Sequence, residues 1–70
     1  MLPVYTYRVF YHSRDKTDKY IDIQLNVNTV TEAGDMLDSA GTITGVNDEV
    51  VYFGQIYQVI IIDDATVAQR

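Results

Sequence analysis

The chain has no cysteine, no tryptophan, one proline and one histidine, and between Asp22 and Gln69 it has no lysine or arginine. Each shortage excludes something. Without Cys there is neither a disulfide framework nor a thiolate metal site, so stability must come from packing or from association with another copy. With a lone His12, no Cys and no Ser in a G-x-S-x-G turn, a nucleophile and its base are not assembled in any usual form. The chain is therefore expected not to be an enzyme, and no cofactor is expected. No apolar run reaches the ~18 residues of a membrane-crossing helix. The start, Met1-Leu2-Pro3-Val4-Tyr5, lacks the basic and apolar regions of a secretory signal. A soluble, cytoplasmic protein without membrane contact is expected.

The 70 residues that are present are 47% hydrophobic and 21% charged, which is globular rather than disordered composition. There is room for one domain, assigned to 1–64, with 65–70 as a frayed C-terminal tail. A chain of this size buries only ~60% of the surface its unfolded form exposes, so a homo-oligomer is expected.

Charge is divided along the chain. The first 21 residues set Arg8, Arg14, Lys16 and Lys19 against Asp15 and Asp18, a net of two positive charges. Beyond them Asp22, Glu32, Asp35, Asp38, Asp48, Glu49, Asp63 and Asp64 face Arg70 alone, although average composition would put roughly six basic residues there. One-sign surfaces steer encounter with surfaces of the opposite sign and exclude wrong partners. They also exclude direct nucleic-acid binding, which needs a basic footprint. An acidic surface that serves solubility alone is the plain alternative.

Residues 4–11 are aromatic and β-branched and read as a strand; the polar stretch 12–19 reads as a loop. Residues 20–28 alternate, with Ile21, Ile23, Leu25 and Val27 on one face and Asp22, Gln24, Asn26 and Asn28 on the other, so they form a half-buried strand and complete a hairpin. Thr29-Val30-Thr31-Glu32 has capping-box spacing. Val30, Ala33, Met36, Leu37 and Ala40 then gather on one side of a helix that Gly41 is placed to end in a left-handed cap. Residues 42–46 predict a short strand and Asn47-Asp48 a turn. Residues 49–53 and 56–62 flank Gly54-Gln55, which suits a two-residue hairpin setting Phe53 against Ile56, Tyr52 against Tyr57 and Val50 against Val59. The run Val59-Ile60-Ile61-Ile62 is apolar on both faces and belongs in the middle of a sheet or at an interface. The expected fold is a two-layer α+β domain in the order ββαβββ, one short helix on a mostly antiparallel sheet of four to five strands, with β-grasp as the suggested arrangement.

Hard oxygen ligands occur in Asn47-Asp48-Glu49 and Asp63-Asp64, but none follows Ca²⁺-loop spacing, and no metal site is expected. The loop with His12, Arg14, Lys16 and Lys19 is a candidate anion or nucleotide site, weakened by Asp15 and Asp18 within it. Six tyrosines are a heavy load, and Tyr suits interfaces because its body is apolar and its hydroxyl stays wet. Tyr5, Tyr7 and Tyr11 share one strand face, which either packs under the helix or anchors a partner. One short helix cannot cover both sides of the sheet, so an open aromatic face should remain.

On the helix, Glu32, Asp35 and Asp38 fall opposite the apolar side. Like charges at a spacing of three and an acid near the helix C-terminus both oppose stability, as residues kept for function often do. The expected function is a small acidic binding protein that inhibits or regulates a protein partner by docking on its basic, nucleic-acid-binding surface. Small phage-encoded inhibitors of host enzymes fit that description. Glu32, Asp35, Asp38, Asp48 and Glu49 would supply charge, and Tyr5, Tyr7 and Tyr11 anchors. The alternatives are a self-associating assembly module and the anion binder of the 12–19 loop.

Overall fold

The computed structural model describes residues 4–63; the tail assigned to 65–70 lies outside them, as do Met1 to Pro3 and Asp64. The fold is α+β, with one helix packed on antiparallel strands in the order ββαβββ. Strand β1 (Tyr5–His12) and strand β2 (Asp18–Leu25) form a hairpin with Tyr7 opposite Ile23, Val9 opposite Ile21 and His12 opposite Asp18. Its connection is tight. Ser13 N–H donates to the Thr17 carbonyl at 2.8 Å, Lys16 N–H to the Ser13 carbonyl at 3.0 Å, and Lys16 takes φ +71°. That is a three-residue loop with a left-handed third position. Of the polar stretch 12–19 read as a loop, residues 13–17 form this turn, and His12, Asp18 and Lys19 belong to the strands.

Helix α1 (Val30–Ala40) starts at Thr29, whose hydroxyl accepts the Glu32 N–H at 3.1 Å. The reciprocal half of the capping box differs from expectation: the Glu32 carboxylate accepts the Thr29 hydroxyl at 3.1 Å rather than the Thr29 N–H. Gly41 ends the helix at φ +81°, its N–H donating to the Leu37 carbonyl at 3.0 Å. Only glycine adopts such a φ without strain.

The second half of the chain departs from the expected topology. Strand β3 (Thr42–Thr44) pairs with strand β4 (Val50–Tyr52) through a turn at Asn47 and Asp48, which take φ +57° and +63°. This two-stranded sheet is separate from the three-stranded sheet β2-β1-β5, in which strand β5 (Ile56–Asp63) runs antiparallel to β1. The hairpin expected at Gly54-Gln55 does not form. Phe53–Gln55 is a single 3₁₀ turn, and the Gln55 side chain holds it by accepting Tyr52 N–H and donating to the His12 carbonyl, both at 2.9 Å. A first-position Gly in a type II′ turn needs positive φ, and Gly41 is the only described glycine that has it. Strand β4 is therefore committed to β3. β5 accordingly lies at an edge, not in the middle, and β1 occupies the centre. The β-grasp suggestion, which placed the last strand centrally, is replaced by this order.

One face of the three-stranded sheet is covered by α1 and the β3–β4 unit. Its core joins Tyr7, Val9 and Tyr11 of β1 to Ala33 and Leu37 of α1 and Val51 of β4. Burying such side chains is worth ~1.5–3 kcal/mol each for the larger apolar ones, so β1 is the keel of the domain. No described helix is long and apolar enough to cross a membrane.

Candidate functional site

The helix buries Ala33 and Leu37 and turns Glu32, Asp35 and Asp38 to solvent. The last turn holds no basic residue, and no ion pair reaches any of the three carboxylates among the described residues. The hairpin is arranged the other way. Arg8 Nε donates to Asp22 Oδ1 at 2.9 Å and its Nη2 to Oδ2 at 3.1 Å; Lys19 Nζ lies 3.4 Å from Asp15; His12 Nδ1 lies 2.8 Å from Asp18. Asp22 is held below the usual carboxylate range, first by the hydrogen bond from Arg8, whose own guanidinium is pushed up by the same contact. Asp15 falls to about 2 because the Thr17 hydroxyl and N–H both donate to it. Acids in the hairpin are compensated locally, and acids on the helix are not.

Two of the expected acidic contacts lie elsewhere. The turn carrying Asp48 lies against β2 rather than at the helix, so Asp48 is exposed apart from the helical carboxylates. Glu49 is a fastener: its carboxylate accepts the Ser13 hydroxyl and the Arg14 N–H, each at 2.8 Å. Those bonds, the Arg14 amide first, hold its carboxyl below the ordinary value.

The tyrosines also sort differently from the anchoring role expected of them. Tyr7 and Tyr11 are fully buried and their hydroxyls are spent on backbone, Tyr7 donating to the Val27 carbonyl at 2.5 Å and Tyr11 accepting the Val46 N–H at 2.9 Å. Burial, with the Glu32 charge and Tyr5 adding to it, pushes the Tyr7 phenol up. Neither reaches a partner, and Tyr5 is half-buried on the same covered face. The reason is the alternation of β1, which gives both faces aromatic character and leaves cover by the helix to decide between them.

The opposite sheet face is open, and it carries residues that sequence reading passed over. Phe10 sits between Tyr20, at a ring distance of 5.8 Å, and Tyr57, at 6.1 Å; His12 stacks on Tyr57 at 4.5 Å, and the Arg8 guanidinium lies 4.4 Å from the Tyr20 ring centre. Tyr20 and Tyr57 remain about half exposed. A bulge in β5 where it passes Phe10 and Tyr11 brings Tyr57 to this row. The signal was available in the hairpin register, because pairing His12 with Asp18 places Phe10 opposite Tyr20 and Arg8 opposite Asp22.

The 12–19 loop keeps His12, Arg14 and Lys16 exposed, with Lys19 drawn onto Asp15. Among the described residues no group of three or more His, Asp or Glu could hold a metal ion, and no pocket forms. The arrangement offers surfaces: an acidic helix on one side and an aromatic row on the other. No protein-family model, curated protein or solved structure matches the chain.

Proposed function

We propose that the protein is a non-enzymatic binding module that sets the outer face of α1 on a cationic surface of a protein partner, of the kind nucleic-acid-binding proteins present, and so inhibits or regulates it. One observation carries this reading. Glu32, Asp35 and Asp38 stand exposed and without a cation among the described residues, while Asp15 and Asp22 of the hairpin are paired with Lys19 and Arg8, and Asp18 lies against His12. Ten acids against five basic residues leave some acids unpaired in any arrangement, and three of those fall together on the outer face of α1. Successive carboxylates rise ~4.5 Å along the axis, comparable to the ~3.4 Å between phosphates of one DNA strand. A cytoplasmic setting and a role like that of small phage-type inhibitors belong to the same proposal. The rival reading, an anion held by Arg14, Lys16 and Lys19, has less support because Lys19 is already engaged by Asp15.

The test is competition. Protein immobilised through its C-terminus and exposed to lysate should retain a partner that is released by rising salt and displaced by added duplex DNA, which would occupy the same partner surface. A retained partner indifferent to both treatments contradicts the reading.

A further inference from the structure

Strand β5 has the composition of a buried strand and the position of an edge strand. Ile56, Val59, Ile60, Ile61 and Ile62 make it apolar on both faces, and residues 56–62 carry no charge. Among the described residues its only hydrogen-bonded neighbour is β1, so its outer edge presents backbone N–H and C=O groups over ~26 Å with no strand beside them. The opposite edge is built differently. There β2 carries Asp18, Lys19 and Asp22, and charged side chains on an edge keep further strands from adding. One edge of the sheet is guarded and the other is not.

We propose that β5 pairs antiparallel with β5 of a second copy of this chain, joining two three-stranded sheets into one of six. The match is self-complementary. A two-fold axis through Ile60 sets Ile60 against the second copy's Ile60 on the open face and Val59 against the second copy's Ile61 on the helix-bearing face. Gln58 then meets the second copy's Ile62. No charged side chain opposes another in this register; its regular part, Val59 to Ile61, lies between the two bulges of β5, near Tyr57 and at Ile62. An isologous contact of this kind closes on itself, and the edges of the joined six-stranded sheet are then the two guarded β2 strands.

Charge and size both favour a second copy as the occupant. The chain carries a net charge of -5, so two copies repel over most of their surfaces, and the neutral strip on β5 is where they can approach. The core is thin for an independent domain: among the described residues six hydrophobic ones are buried, while Tyr57, Ile61 and Ile62 remain 46%, 42% and 39% exposed. Small cores of this kind are commonly completed by oligomerisation. Because α1 packs against β5, pairing would carry both acidic helices to the same side of the six-stranded sheet. The pairing stands on the edge alone and holds whether or not the helix meets a cationic partner. One strand pair is small beside the ~1,200–2,000 Å² of a stable interface, so the dimer should dissociate on dilution.

Sedimentation of the full chain over a range of concentrations should show the mass rising from the 8.0 kDa chain toward twice that value. Because the chain has no cysteine, any disulfide in a single-Cys variant joins two copies. Ile60→Cys should cross-link at least tenfold faster than Gln24→Cys on β2 under the same mild oxidant. Ile60→Lys, with its fold checked by circular dichroism, should raise the association midpoint at least tenfold; if that variant fails to fold, the two cysteine variants decide. A single 8.0 kDa species up to millimolar concentration, or equal cross-linking from the two cysteines, overturns the proposal.

Discussion

The Tyr11 hydroxyl accepts the Val46 N–H at 2.9 Å, tying the central strand to the first residue of the β3–β4 turn. The contact needs glycine beside it. A Cβ at Gly45 would lie 2.6 Å from the Tyr11 oxygen and 2.7 Å from Val51 Cγ2, both belonging to fully buried side chains that have no room to yield. Gly45→Ala should therefore destabilise the fold by ~1–3 kcal/mol through overpacking, and Tyr11→Phe by ~1 kcal/mol through the lost hydrogen bond. Urea denaturation measures both.

Stability should fall on acidification. Glu49 and Asp22 sit below their ordinary values of 4.5 and 3.8, and Asp15 falls from 3.8 to about 2. A carboxylate depressed in the folded state contributes stability above its unfolded pKa and loses it as pH drops through the folded value. Melting temperature should thus decline from about pH 4.5 toward pH 2. Glu49→Gln, which frees Ser13 and Arg14 from a charged acceptor, should be less stable than wild type at pH 7 and converge with it at the acid end.

Lys16 sits at φ +71° in the hairpin loop, where a side chain other than glycine costs ~1–2 kcal/mol. Replacing Lys16 with Gly should raise thermal stability, by less than that amount because the unfolded chain also gains freedom. The same variant leaves the helix untouched, so partner binding through α1 should be unchanged in a binding titration.

Much of the first half of this fold was legible. Alternation at Ile21, Ile23 and Leu25 marks β2, and Thr29 with Gly41 brackets α1, because those signals depend on neighbours in the chain. The second half was misread where two turn signals compete. Asn47-Asp48 and Gly54-Gln55 both suit hairpins, and only the first is used, which sends β4 to β3 and leaves β5 at an edge. The acidic helix face was legible from spacing, but the fate of Glu49 was not. Its bonds to Ser13 and Arg14 cross 36 and 35 positions of chain and exist only once the two hairpins meet.

Binding and stability should separate at Asp38. It lies in the last turn of α1, where a cation interacts favourably with the helix dipole, by ~0.3–1 kcal/mol, and an acid does the reverse. Asp38→Lys should therefore stabilise the protein in thermal denaturation while weakening its hold on the partner. A helix kept for folding alone would gain stability and lose nothing.

The most direct measurement is the partner dissociation constant of a protein with Glu32→Gln, Asp35→Asn and Asp38→Asn combined, read beside Asp15→Asn with Asp22→Asn in the hairpin. Neutralising the helix should weaken binding at least a hundredfold and flatten its dependence on salt, whereas neutralising the hairpin should leave both nearly as they were. Equal affinity and an equal salt slope for the helix variant and the wild type would contradict the account.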